Sequence, residues 1–299
     1  MVRRLTGMKP GIAARFLLLL LIVSREVLSG TAQADEPPLS AIDERIVKEQ
    51  AAFQNRFALM PHKPSYILPL SYASKVNQAP FEDLGGDAEH LEVKFQISLK
   101  LPLMRNLFGS NGHLSFGYTQ VSFWQAYNSQ LSSPFRETDH EPELMLSFFN
   151  DYRLFGVRNR IITLGLVHQS NGQLGARSRS WNRVYANFLF ERGRWAFSLR
   201  PWHRIPESVA NDDNPDISRY LGHGDVIAAY RLGEHVLDMM LRNNLDSPNR
   251  GAISVGWSFP INERVSGFVQ YFNGYGESLI DYNTSISRIG LGIMLTNWL

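Results

Sequence analysis

The 299-residue sequence contains no cysteine, which excludes a disulfide framework, thiolate catalysis and thiolate metal ligation. It also has little charge of one sign. Lys and Arg exceed Asp and Glu by only +2, so nucleic acid is not a natural partner. No segment is apolar for ~18 consecutive residues or more, which excludes helical membrane spans. A β-barrel stays open, because its strands alternate in polarity and have only modest average hydropathy.

Residues 1–34 read as a secretory signal peptide. Arg3, Arg4, Lys9 and Arg15 make a basic start, Phe16 to Val23 an apolar stretch, and Ala32-Gln33-Ala34 a small-residue cleavage site. The apolar stretch is about eight residues, against the ~20 of a spanning helix. Residues 35–60 are expected to form an N-terminal periplasmic segment. Within it, Leu39 to Asn55 carry Ile42, Ile46, Val47, Ala51 and Phe53 between charges, the pattern of a short amphipathic helix. Residues 61–299 are then the barrel domain.

Past about Ser65 the period changes to two. Leu91, Val93, Phe95, Ile97, Leu99 and Leu101 alternate with Glu92, Lys94, Gln96, Ser98 and Lys100. Ile289, Leu291, Ile293 and Leu295 do the same near the C-terminus. Twelve such segments fall near 65–73, 89–101, 112–125, 141–152, 157–170, 182–191, 193–203, 218–231, 234–243, 250–260, 263–274 and 284–298. Tight turns such as Arg192-Gly193 and Leu232-Gly233 alternate with longer loops, short on one rim and long on the other. A soluble sandwich with one solvated face is the competing architecture. The charges on one parity and the Trp and Tyr near strand ends favour a twelve-stranded antiparallel transmembrane β-barrel.

One segment carries chemistry on the wrong face for a bystander. Ile162, Leu164 and Leu166 define an even, apolar parity, and His168 and Ser170 continue it. Beyond the loop, Val184, Phe188 and Phe190 form another even apolar face, to which Asn182 belongs. A hairpin whose paired residue numbers sum to about 350 sets Asn182 opposite His168. Serine is a weak nucleophile until an imidazole accepts its proton, and the imidazole needs a third group to orient it. Ser170, His168 and Asn182 supply those types on one greasy surface. The Gly172 backbone N–H, with no side chain to obstruct approach, is a candidate oxyanion donor. A non-enzymatic barrel, channel or structural, gives no reason for these groups on the lipid face. A deacylase acting on lipopolysaccharide is a further alternative.

The run His168-Gln169-Ser170-Asn171-Gly172 with Ser178-Arg179-Ser180-Trp181-Asn182-Arg183 resembles the signature of bacterial outer-membrane phospholipase A. The similarity continues through Tyr118-Thr119-Gln120, Ser132 to Glu137, Asp212 to Asp216 and Gly274 to Asn283, and covers about residue 55 to the end. The resemblance implies a twelve-stranded barrel, a phospholipid substrate, a calcium requirement and activity as a homodimer. It also implies Ser170 as nucleophile, His168 as base and Asn182 as the orienting residue. Calcium would take the Ser178 hydroxyl, the Gln173 carbonyl and the Ser132 carbonyl of a second subunit. Gln120, on the lipid-facing parity, falls at the family's dimer interface and substrate cleft. Two positions depart from the pattern. Gly175 stands where some relatives carry a carboxylate, which puts a second calcium site with Asp213 in doubt, and Leu299 ends the chain after Trp298 where many barrels end in Phe. Asp212, Asp213 and Asp216 are expected to form a solvated acidic turn. Arg194, Arg200 and Arg204 are expected on the inner wall or rim.

Overall fold

Polarity that alternates every second residue gives each strand one face for hydrocarbon and one for a polar interior. A computed structural model describes residues 40–297, except 56–57, 79–80, 82–84, 209 and 211. The expected signal peptide and the terminal Trp298-Leu299 pair lie outside these residues. A two-residue strand, β1 (Met60–Pro61), precedes β2 (Ser65–Ala73), β3 (Leu91–Met104), β4 (His113–Trp124) and β5 (Phe135–Leu154). Next come β6 (Val157–Ser170), β7 (Ser180–Arg192), β8 (Trp195–Ile205) and β9 (Gly224–Leu232). The last four are β10 (His235–Asn243), β11 (Gly251–Pro260), β12 (Ser266–Gly274) and β13 (Ile286–Thr296). Each strand from β2 onward pairs with the next, and β13 pairs antiparallel with β2. This is the closed twelve-stranded antiparallel barrel that the alternation predicts. The short β1 lies against β3, Met60 opposite Lys100.

Two segments differ from expectation. β5 starts at Phe135, well before residue 141, because its first turns carry polar groups on both faces and alternation leaves no trace there. The expected strand over 218–231 splits into a one-turn helix, α2 (Ser218–Leu221), and β9. Ile217 and Leu221, four apart, enter the lumen core, and Gly222 at φ +66° ends the turn.

The wall sorts side chains as the alternation predicts. Ile97, Leu99, Phe116, Leu144, Leu164, Leu166 and Trp257 are exposed on the outside, an apolar belt far larger than a water-soluble monomer tolerates. Inside, Arg136 is 2 % exposed and grips Glu92 with Nε and Nη2 at 3.0 and 3.1 Å, while Nη1 donates to Asp281 at 2.6 Å. Arg288 joins the same Glu92 at 2.7 Å and Glu277 at 2.8 Å. Arg200, on the inner wall as expected, pairs with Asp225 at 2.6 Å. Buried charges that lack a partner cost several kcal/mol, so such networks are a condition of filling the lumen with charge.

The amphipathic helix expected over 39–55 forms as α1 (Ala41–Ala52), capped by Ser40, whose Oγ accepts from the Asp43 N–H at 3.0 Å. It packs on the inner wall. Ile42 and Ile46 lie on one helix face and meet Ile161, Leu189 and Ala196. Farther along the same face Glu49 contacts Lys100 at 2.7 Å and Arg45 at 2.9 Å. Burial alone would raise the Glu49 carboxyl, but the two cations beside it hold it at about 2 against an ordinary 4.5. At ~1.36 kcal/mol per pH unit that difference is worth about 3 kcal/mol.

A depressed carboxyl stabilises the fold fully above its unfolded value and loses that contribution as pH falls. The Glu49 contribution is therefore present above pH 4.5 and disappears toward pH 2. Glu49→Ala also leaves Lys100 buried without its partner, which should cost about 3–5 kcal/mol at neutral pH. The thermal midpoint of heat-modifiable gel mobility measures both effects. An unchanged midpoint in Glu49→Ala at pH 7 would remove α1 from the stability of the barrel.

Candidate active site

The inward residue of the His168-Gln169-Ser170 run determines which way the other two face. Gln169 Oε1 accepts from Trp181 Nε1 at 2.9 Å and from Arg183 Nη2 at 3.0 Å, both within the lumen. Trp181 is fully buried, and the Arg183 guanidinium lies 3.9 Å from its ring centroid. Around them Val167, Tyr185, Trp202 and Leu279 make a buried apolar cluster behind this part of the wall. With Gln169 and Trp181 pinned inward, His168, Ser170 and Asn182 must point outward.

The register is the expected one. His168 stands opposite Asn182 and Ser170 opposite Ser180. His168 Nδ1 and Asn182 Oδ1 are 2.9 Å apart, and Asn182 Nδ2 donates to Glu207 Oε1 at 2.9 Å. His168 is exposed on the outer wall, while Ser170 and Asn182 are half-buried. Among the described residues no hydrogen bond joins Ser170 Oγ to the imidazole. The two residues occupy neighbouring positions on one pleat face, and catalytic contacts often tighten only around substrate.

The β6–β7 loop is held by Asn171, buried at the strand end. Its Nδ2 donates to Glu137 Oε1 at 3.1 Å and to the Arg177 carbonyl at 2.9 Å. Its Oδ1 accepts from Arg179 N at 2.9 Å and from Gln173 N at 3.3 Å. This closes the loop over Gly172, whose φ of +65° is a conformation that other residues adopt at a cost. A Cβ there would meet His140 Nε2 at 4.0 Å, ordinary contact, so backbone conformation and not space calls for glycine.

His140 and Asn171 are site residues that the alternation did not reveal. His140 pairs with Gln120 on one side and Ser170 on the other, so it bridges the expected interface residue and the expected nucleophile. Its Nδ1 is 2.6 Å from Tyr118 Oη, and Gln120 Nε2 donates to Ser122 Oγ at 3.0 Å. Extending the even parity of β5 upstream from residue 141 would have found it.

The acidic 212–216 loop is not the solvated turn expected. Asp212 pairs with Arg204 at 2.6 Å, Asp216 accepts from Tyr282 Oη at 2.6 Å, and Asp213 accepts from Ser178 Oγ at 2.6 Å. Asn214 causes this docking: fully buried, it accepts from Ser180 N at 2.9 Å and ties the loop to the start of β7. Ser178 and Asp213 thus share a place with the turn bearing Gln173, a set of oxygen donors only. Gly175, at φ +61°, adds no side-chain donor. Ser132 lies in the β4–β5 loop at φ +57°, followed by Ser133 at +52°. On the outer wall, an open and shallow apolar hollow is lined by Leu144, Leu146, Leu164, Leu166, Val184 and Pro201.

A closed twelve-stranded barrel whose apolar outer belt carries Ser170, His168 and Asn182 has the architecture of an outer-membrane β-barrel protein. The Phospholipase A1 family matches residues 42–295. Phospholipase A1 of Klebsiella pneumoniae is 41% identical over 245 residues, 81% of this chain and 84% of that one. Outer membrane phospholipase A from Escherichia coli superposes with a TM-score of 0.77 at 40% identity, covering 81% of this chain and all of that one. A Salmonella typhi outer membrane phospholipase dimer with bound calcium gives 0.78 at 41% identity, over 82% of this chain and 96% of the other. An asparagine-to-alanine active site mutant of the E. coli enzyme matches at 39% identity, over 83% and 96%, with a TM-score of 0.78. The chain belongs to the phospholipase A1 family of outer membrane phospholipases.

Asn171→Asp sets a second carboxylate against Glu137, while Asn171→Ala removes four loop hydrogen bonds. Each should cost about 1–3 kcal/mol locally and leave the barrel closed. Trypsin should then cut after Arg177 or Arg179 much faster than in the wild type. Unchanged protease resistance would mean that Asn171 does not order the loop.

Proposed function

We propose that this protein is a calcium-dependent phospholipase that hydrolyses sn-1 and sn-2 acyl esters of glycerophospholipids on its lipid-facing wall, and that dimerisation activates it. The observation that carries this reading is the 2.9 Å contact between His168 Nδ1 and Asn182 Oδ1 on the hydrocarbon side, with Ser170 next along the same face. Polar groups in hydrocarbon cost several kcal/mol unless they are partnered, and a structural role offers no return for that cost. An asparagine belongs to the active site of the E. coli relative, which supports including Asn182 in the site.

Ser170 Oγ attacks the ester carbonyl carbon, and its proton passes to His168 Nε2. The Gly172 N–H, set by the αL turn, donates to the resulting oxyanion. As the C–O bond breaks, His168 returns the proton to the departing glycerol alkoxide, which leaves as the lysophospholipid. Water, deprotonated by the same ring, then attacks acyl-Ser170 and releases the fatty acid. The apolar outer surface formed by Leu164, Leu166 and Val184, on the same two strands as His168 and Asn182, receives the acyl chain.

Ser178 Oγ and the Gln173 carbonyl, with the Ser132 carbonyl of a second copy, would hold the calcium ion. The donor chemistry fits: the atoms are hard oxygens, and the Ser178 hydroxyl already meets the Asp213 carboxylate at 2.6 Å. When bound, calcium supplies positive charge and oriented water on the oxyanion side. Two successive non-glycine residues at positive φ, Ser132 and Ser133, suit a turn built to present carbonyls, since such strain collects at functional sites. Gln120 contributes an amide to the interface, one of the few polar groups able to give specificity between apolar walls. The Salmonella typhi dimer with bound calcium supports both features. A half-site that needs a second copy is quiet in an intact membrane full of substrate.

Ser170→Ala and His168→Ala should each abolish hydrolysis of labelled phospholipid by detergent-solubilised protein while heat-modifiable mobility stays normal. Asn182→Ala should retain a measurable fraction, since its part is orientation. Wild-type turnover in Ser170→Ala would sink the assignment of the nucleophile.

Sulfonyl fluorides should label Ser170 only with calcium present and under conditions that favour dimers. Peptide mass spectrometry reads the label directly. Equal labelling in excess chelator would remove calcium from the reactive site.

A further inference from the structure

The Asn182 side chain is an amide with an oxygen at one end and an NH2 at the other. Only one of its two orientations serves a base beside it. With the oxygen toward His168 Nδ1, the ring must carry its proton on Nδ1 and present a bare Nε2 to Ser170. With the NH2 group there, the ring would be forced into the opposite tautomer and would have no lone pair for the serine proton. Nothing in an asparagine chooses between the two orientations, so its neighbours must.

We infer that Glu207 is the positioning residue that makes this choice, a fourth member of the Ser170-His168-Asn182 set. The inference rests on the triad reading above. Glu207 Oε1 lies 2.9 Å from Asn182 Nδ2, while Asn182 Oδ1 lies 2.9 Å from His168 Nδ1. An ionised carboxylate only accepts hydrogen bonds, so it admits the NH2 end and rejects the oxygen. The other amide orientation would set Oδ1 against the carboxylate, a repulsive contact between two acceptors. The carboxylate thus fixes the amide, the amide fixes the tautomer, and the tautomer is the one a general base requires.

A charge argument runs alongside. An Asp in the third position of a hydrolytic triad stabilises the imidazolium formed in the transition state, and Asn182 carries no charge for that purpose. Glu207 supplies the charge one hydrogen bond farther out, through a polarised amide. Glu207 is half-buried in the loop after β8. Its distance from Ser170 along this relay keeps it out of the attack trajectory, so it affects rate and not substrate binding.

The test compares kcat and KM of Glu207→Ala, Glu207→Gln and Glu207→Asp on micellar phospholipid with calcium, beside Asn182→Ala, the double variant Asn182→Ala/Glu207→Ala, and Ser170→Ala. Glu207→Ala should lower kcat roughly tenfold or more, with KM within about twofold. Glu207→Gln should fall between, since its amide oxygen can still accept from Asn182 but carries no charge. Glu207→Asp should recover part of the loss. In the Asn182→Ala background, removing Glu207 should change kcat by less than about twofold, because a relay already cut has nothing more to lose. A full additional loss in that background, or wild-type kcat in Glu207→Ala with Ser170→Ala inactive, would overturn the role of Glu207 and leave the triad standing. Wild-type kcat in Ser170→Ala would instead overturn the triad on which this inference rests.

Discussion

A strand shows opposite faces at successive residues, and this barrel puts hydrocarbon against one face and a packed polar lumen against the other. Every later feature follows from that constraint. Charge cannot remain on the outside, so Glu92, Lys94, Arg136, Arg183 and Arg288 all point inward and must be paired there. The lumen is accordingly filled, at one end by α1 and elsewhere by ion pairs and the Trp181–Trp202 core. The same alternation leaves His168, Ser170 and Asn182 outside with no water-filled cleft to hold them.

Polar groups on a lipid-facing wall persist only as a mutually bonded set. His168, Asn182 and Glu207 satisfy one another along one line, and Tyr118 with His140 forms a second pair beside it. The surface is thus two short polar chains meeting near Ser170, bordered below by leucines. Rigidity comes from behind. Gln169, held by Trp181 and Arg183, anchors to the packed lumen the strand segment that carries His168 and Ser170. A site on a barrel wall is as stiff as the lumen that backs it.

The loops complete what the wall begins. Asn171, buried, braces the β6–β7 connection, while buried Asn214 ties the β8–β9 connection to the start of β7, where Asp213 accepts from Ser178. Oxygen donors therefore gather in the loop that begins at the Gly172 turn. In the proposed calcium site, ligands drawn from two subunits would link metal occupancy to association.

Much of this protein is legible in its sequence. The period-two pattern determined the number of barrel strands and the lipid side of each, because lipid and lumen impose opposite demands at every residue. Cross-strand register placed His168 opposite Asn182 from numbering alone, since a tight parity leaves few alternatives. Where both faces of a strand are polar, as at Phe135 to His140, the pattern vanished and with it the position of His140 beside Ser170. The one-turn helix at Ser218 was hidden likewise, because a strand and a single helical turn can bury the same few apolar residues. Tertiary structure alone decided that α1 packs on the inner wall, that Asn171 reaches Glu137, and that Glu207, just past the end of β8, reaches Asn182 on the neighbouring β7. These are contacts between segments distant in sequence. Local periodicity reports which medium a side chain faces, and only the closed barrel decides which other side chain it meets there.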